Sequence, residues 1–314
     1  MNLSTELQRY LQIRRSLGYD LGTSERVLNR FVSFLEENNE THITTALFLQ
    51  WKDVFGTAEK STWSRRLGIV RLFASWLHSL DARHEIPPQA LLPNRYIRKK
   101  PYIYTDIEIK TILETAALLY STNGLRELTY PAFFGLVAVT GLRISEAISL
   151  NTKDLDLQHG VITLHNGKNH KSRILPLTPC TTGCLHEYIR KRDRLLGHEP
   201  EPFFVSDSGK RLTDCAVRYN FATISQMIGL RSRQNYHKHG VGPRIHDLRH
   251  TFAVKVMLNW YRSGKNIDQE MLKLVTYLGH TSLSSTYWYI EAVPELLALA
   301  SYRAESAITQ EVLS

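Results

Sequence analysis

Cysteine is scarce. Cys180, Cys184 and Cys215 are the whole complement, an odd number with no C-x-x-C pair, which excludes a disulfide framework or a zinc ribbon and predicts reduced thiols. Long apolar runs are missing as well: no stretch approaches the about 18 apolar residues that cross a bilayer, and no apolar segment follows a basic start. A soluble, unexported, cytoplasmic chain with no membrane partner is expected. Acidic charge is in the minority, 30 Asp and Glu against 39 Lys and Arg, for a formal net charge of +9. That excess suits a polyanionic partner, though ribosomal and membrane-surface proteins carry the same signature. What is present in plenty is core material, 43% hydrophobic residues over 314 positions, enough for two ordinary domains.

The first third is helical in pattern. Residues 4–17 form one amphipathic segment, Gly18 and Gly22 break it, and Thr23 or Ser24 is placed to cap a second in which Leu28, Phe31 and Leu35 share a face. A third segment spans about 44–55. The fourth, Ser61 to Leu80, sets Trp63, Leu67, Val70, Phe73 and Leu77 on a stripe and Arg65, Arg66 and Arg71 largely off it. In an acidic protein those arginines read as a solvated face; in this basic one they read as phosphate contacts, which position a protein without reading sequence. Periodicity then stops: Pro87, Pro88, Pro93 and Pro101 surround Arg95, Arg98, Lys99 and Lys100, as in an extended basic linker that runs along DNA. The expected divisions are 1–85, a helical DNA-binding domain; 86–104, the linker; and 105–314, a second domain.

In that second domain Thr105 can cap a helix through Leu119, and a nearly all-apolar helix over 129–139 should end at Thr140-Gly141. Arg143, just past that buried stop, has a fixed base and a free fork; Glu146 is placed to orient it or a neighbouring donor. Residues 160–164 and 173–177 are β-rich runs joined by a hairpin composition, with Lys168 and Lys171 at the tip and Arg173 opening the second run. Lys171 and Arg173 are counted as DNA contacts. The segment H-D-L-R-H imitates a zinc-protease helix through His246 and His250, yet a third ligand and an acidic base are wanting, so no metal is expected. His246 and Arg249, three apart, can instead share a helix face and converge on one phosphate. Phe252, Val256 and Trp260 should point inward from the continuing helix, which Gly264 ends; another helix, 267–278, stops at Gly279, with His280 directly after. Tyr287 and Tyr289 are about 200° apart on a helix and face opposite ways.

Taken together, T-G-L-R-I-S-E (140–146), R-I-H-D-L-R-H-T-F (244–252) and L-G-H-T-S-L-S-S-T-Y-W-Y (278–289) closely resemble the tyrosine recombinase (phage integrase) family, whose pattern is Arg, a hairpin Lys, His-x-x-Arg, a second His and a Tyr. The resemblance covers roughly 1–300 and is strongest over 135–290. It implies a mainly α fold with a small β-sheet or hairpin: a helical SAM-like core-binding domain and a mixed α+β catalytic domain, clamped around DNA. It assigns Arg143 and Arg249 to the phosphate clamp, His246 to acid/base work on the phenol, His280 to a phosphate oxygen, and Tyr289, nine after His280, to nucleophilic attack. Tyr287 and Trp288 are left as packing residues. Aligned on G-K-x-x-K-x-R-x-x-P-L, Lys168 is the general acid, with Lys171 its competitor.

The activity so implied is site-specific DNA recombination. A 3′-phosphotyrosine forms, and strands exchange through a Holliday junction between paired sites on double-stranded DNA, without metal, ATP or cofactor. A homotetramer on the bacterial nucleoid, with accessory DNA-bending proteins, belongs to the same picture. Leu296, Leu297, Leu299 and Ala300 suit a C-terminal helix that docks on a neighbouring subunit or closes its own domain. Other readings are a type IB topoisomerase-like or telomere-resolving enzyme, against which the bacterial-style spacing argues, and a non-catalytic DNA-binding regulator, which a full set of reactive groups disfavours.

Overall fold

The structure, a computed structural model, describes residues 2–56, 58–93, 98–165, 172–234, 237–280 and 282–313. Its chain forms two compact units, residues 1–99 and 100–314, divided inside the segment expected as a linker.

Among its described residues the first unit holds four helices, α1 (Leu3–Ser16), α2 (Gly22–Glu37), α3 (Thr45–Val54) and α4 (Lys60–His78). Asn2 and Thr44 cap α1 and α3 through their side chains. Neither Thr23 nor Ser24 caps α2; the Asp20 carboxylate takes the Gly22 N–H at 3.1 Å, and the helix begins there. Leu28, Phe31 and Leu35 pack with Phe48, Trp51 and the Trp63–Leu77 stripe in one core. Arg65 is exposed and Arg71 half-buried. Arg66 lies 4.5 Å from the ring centroids of both Phe55 and Trp63, where burial and the charges of Arg30 and Arg65 lower its affinity for its proton.

The second unit opens with α5 (Asp106–Ala116), locked by a reciprocal cap between Thr105 and Glu108. Then come α6 (Arg126–Thr140) and α7 (Ile144–Ser149). A three-stranded antiparallel sheet follows: β1 (Leu155–Asp156), β2 (Val161–Leu164) and β3 (Arg173–Pro176), in the order β1-β2-β3. Its β2–β3 pairing sets Leu164 opposite Arg173 and Val161 opposite Pro176. That is the expected hairpin; its tip, with Lys168 and Lys171, lies outside the described residues. The chain continues through α8 (Pro179–Leu196), α9 (Asp214–Met227), the hairpin β4 (Ser232–Gln234) with β5 (His237–Val241), α10 (His246–Arg262), α11 (Ile267–Leu278), α12 (Ser284–Ala292) and α13 (Pro294–Leu313). Among the described residues no helix is long and apolar enough to cross a membrane.

The last helices add detail to two expectations. Trp260 is buried and Phe252 and Val256 pack half-buried against the same core, as expected, and Ala253, Val254 and Met257 join them in the interior. The reason is that α10 is packed on several sides, by α6, α11, α12 and α13, so no single stripe describes its inner face. The start of α13 closes its own domain: Leu296 is wholly buried beside α10 and α11 residues, while Leu297 stays 49% exposed.

Candidate active site

Two helix ends build the site. α6 and α11 both stop at a glycine in the left-handed conformation, Gly141 and Gly279, each at φ 63°. Carbonyls in a helix's last turn have no partner within the helix and carry partial negative charge. Here guanidinium groups take them: Arg249 donates to Gly141 O at 2.5 Å and Leu278 O at 2.7 Å, and Arg143 donates to Gly279 O at 2.7 Å. The two arginines, more than a hundred residues apart in sequence, are thus tied to the same pair of helix ends.

Glu146 ties in a third arginine. Its carboxylate accepts from the Arg143 backbone N at 2.9 Å and Nη1 at 2.7 Å, and from Arg173 Nη1 and Nη2 at 3.0 and 2.9 Å. Arg173 Nε also donates to Tyr277 O at 3.0 Å. Burial by itself raises the pKa of Glu146, but the bonds from Arg173 and Arg143 outweigh it and hold the group below its ordinary 4.5. Arg173, expected as a DNA contact, is a half-buried partner of Glu146, with 13% of its side chain exposed. Three guanidiniums around one carboxylate leave a net charge of +2, the electrostatic complement of a phosphate.

Burial and the nearby Arg143 lower Arg249 to about 10, so it stays charged at neutral pH. His246, the first residue of α10, is pushed down to about 4 by burial and by Arg249, and is a neutral imidazole there. Its ring meets that of His250 edge-on at 4.6 Å. Tyr289 is 1% exposed, with its Oη 2.7 Å from His250 Nδ1. His250 Nε2 lies 3.9 Å from Asp247 Oδ1, and His280 Nδ1 lies 2.7 Å from Thr286 Oγ1.

The structure thus brings Arg143, Glu146, Arg173, Arg249 and His246 into one cluster, with Tyr289 and His280 on the elements that frame it. Tyr287 and Tyr289 do face opposite ways, but Tyr287 is 40% exposed instead of packed, because it points off the core side of α12; Trp288 is the one that packs. His250 is the residue that spacing failed to single out as a partner of the phenol. It entered the reading only as a second zinc ligand, since a histidine four places from another marks a shared helix face without naming what that face meets. Arg95, Lys168 and Lys171 lie outside the described residues, and Arg98, Lys99 and Lys100 are exposed at the division between the units.

The one metal-like group among the described residues is His42, Asp81 and His84 in the first unit. Ile43 N–H donates to His84 Nδ1 at 3.0 Å, so the neutral ring carries its proton on Nε2 and offers no lone pair there. Asp81 is already paired with Arg83 at 2.7 Å. The cluster reads as a polar corner that fastens residue 43 to the end of α4.

Residues 104–295 match the phage integrase family. The protein named "Putative integrase/recombinase y4rB" of Sinorhizobium fredii (strain NBRC 101917 / NGR234) is 38% identical over 304 residues, 95% of this chain and 96% of that protein. Tyrosine recombinase XerC of Chlamydia caviae is 26% identical over 286 residues, 83% of this chain and 85% of its own length. Among solved structures, XerH site-specific recombinase bound to palindromic difH substrate shares the fold with a TM-score of 0.63 at 20% identity, covering 91% of this chain and 80% of that one. The Tn1549 transposon integrase in complex with transposon right end DNA does so with a TM-score of 0.63 at 17% identity, over 90% and 94%. The chain belongs to the phage integrase family of tyrosine recombinases.

Proposed function

We propose that this protein is a site-specific DNA recombinase in which Tyr289 attacks a DNA phosphodiester under the Arg143–Arg249 clamp. The single observation that carries the reading is the Glu146 hub: it aims two guanidiniums from one side while helix-end carbonyls fix Arg249 from the other. Fixed cations of that kind stabilise charge as it develops on non-bridging oxygens, at no cost of reorganisation during the reaction. A bond forms between Oη and phosphorus, the bond to the 5′-oxygen breaks, and the energy of the diester is kept in a 3′-phosphotyrosine. The 5′-hydroxyl of a second strand reverses the step. His280 donates to a non-bridging oxygen; His246, whose neutral ring suits a donor, does the same in place of the acid/base role that the resemblance implies; and Lys168, with Lys171 its competitor, protonates the departing 5′-oxygen.

Tyr289 is buried, so its phenol has to become accessible when DNA binds. Arg65, Arg66, Arg71, Arg95, Arg98, Lys99 and Lys100 serve the phosphate backbone, and the chain acts on paired sites at the nucleoid. Four copies assemble there through the part of α13 that its own domain leaves uncovered, such as Leu297. Incubation with DNA carrying a mapped site, in excess EDTA and without nucleotide, should yield a covalent protein–DNA adduct; loss of the adduct on chelation and its return with zinc would defeat the proposal.

A further inference from the structure

We infer that His250 is the base that takes the phenolic proton of Tyr289, with Asp247 as the carboxylate behind it. The inference rests on the recombinase reading above and adds a group to it. His250 Nδ1 is 2.7 Å from Tyr289 Oη, within the reach a general base needs. Both side chains are buried, so water is a poor competitor for that proton. On the far side of the ring, Nε2 lies 3.9 Å from Asp247 Oδ1, close enough to offset the positive charge that forms on the imidazole. Asp247 is itself held in place: its carboxylate accepts from the Arg244 backbone N at 2.7 Å and from Arg244 Nη2 at 3.1 Å. A nucleophile touching a base, and a base backed by a third group, is the arrangement that activates a hydroxyl.

His246 is the competing base, and it is worse suited. Its low pKa, set by burial and Arg249, leaves it little affinity for a proton near neutrality. His250 adjoins Arg249 in sequence and His246 in space, and the phenol it touches is near enough to Arg249 for their charges to interact. Among the groups set against His250 are Asp247 and His246 on its own helix and Tyr289, with the Trp288 ring, on α12.

The step balances. As Oη bonds to phosphorus, its proton passes to Nδ1; as the 5′-oxygen leaves, it takes a proton from the hairpin lysine. In the reverse step the incoming 5′-hydroxyl returns a proton to that lysine, and the imidazolium returns one to the phenol. No oxidant, metal or nucleotide enters.

The test uses the full chain and a nicked suicide duplex carrying the site recovered from covalent adducts in cells. His250→Asn keeps an acceptor near the position of Nδ1 but is no base. With DNA binding unchanged, its single-turnover adduct formation should fall about 10²–10⁴-fold at neutral pH and climb with pH where the wild-type rate is flat. His250→Gly should recover adduct formation when imidazole is added, a rescue that a packing role does not allow. Should His250→Gly fail to fold, the pH profile of His250→Asn decides. Cleavage by His250→Asn at the wild-type rate or faster would overturn the inference, as would a loss showing neither the pH climb nor rescue. If the wild-type chain itself formed no adduct, the recombinase reading would fall and not the role of His250 alone.

Discussion

Glu146→Gln removes one charge from the hub and leaves the shape almost intact. The carboxylate's two oxygens accept four N–H groups from Arg143 and Arg173; glutamine presents one carbonyl oxygen and turns an amide NH₂ toward an arginine. Two hydrogen bonds to charged groups are lost at about 1.5–3 kcal/mol each, in line with the about 3–5 kcal/mol that follows from breaking a buried ion pair. Against a total stability of the order of 5–15 kcal/mol this is severe. For a unit of this size, about 2–4 °C per kcal/mol gives a fall in Tm of roughly 10 °C at pH 7. The pH dependence has a fixed sign. Glu146 is held below its ordinary value, so its contribution is full above about pH 4.5 and is lost as pH falls through the lower folded value. Thermal unfolding of wild type and variant, followed by circular dichroism across this range, should show the gap closing on the acid side. A Tm within about 1 °C of wild type at pH 7, or a gap that persists unchanged into acid, would refute the reasoning.

Gly279→Ala places a Cβ 2.8 Å from Arg173 Nη1 at a residue with φ +63°. Arg173 cannot swing aside without leaving Glu146, so the strain of about 1–2 kcal/mol for the left-handed backbone adds to a displaced clamp; single-turnover cleavage should fall by about tenfold or more, the equivalent of 1.4 kcal/mol in the barrier. Arg143→Ala and Arg249→Ala should each cost about 10²-fold or more in adduct formation, as for removal of a developing-charge donor. Lys168→Ala should slow cleavage of ordinary DNA and be rescued on a 5′-bridging phosphorothiolate, whose thiolate leaves without an acid, while Arg143→Ala is not rescued; rescue of Lys171→Ala in its place would move the general acid to Lys171.

Sequence patterns located the helices that frame the site because those helices carry strong local signals. Gly141 and Gly279 are stops that a left-handed turn explains, and Thr105 is a cap readable from its residue type. The opposite facing of Tyr287 and Tyr289 follows from helical geometry alone. What escaped was tertiary. Arg173 looked like a hairpin cation because nothing local reveals that Glu146, 27 residues earlier, waits for it. His250 looked like half of a zinc motif because its partner, Tyr289, is 39 residues away on another helix. The inner face of α10 was read too narrowly because a helix enclosed by four others buries more than a stripe.

The most direct test of the central claim is peptide mapping of the covalent adduct trapped on a nicked suicide duplex in excess EDTA. The phosphate should be found on Tyr289, with Tyr289→Phe binding the same DNA but forming no adduct and Tyr287→Phe forming it normally. A phosphate on the exposed Tyr287, or no adduct unless metal is supplied, would contradict the account.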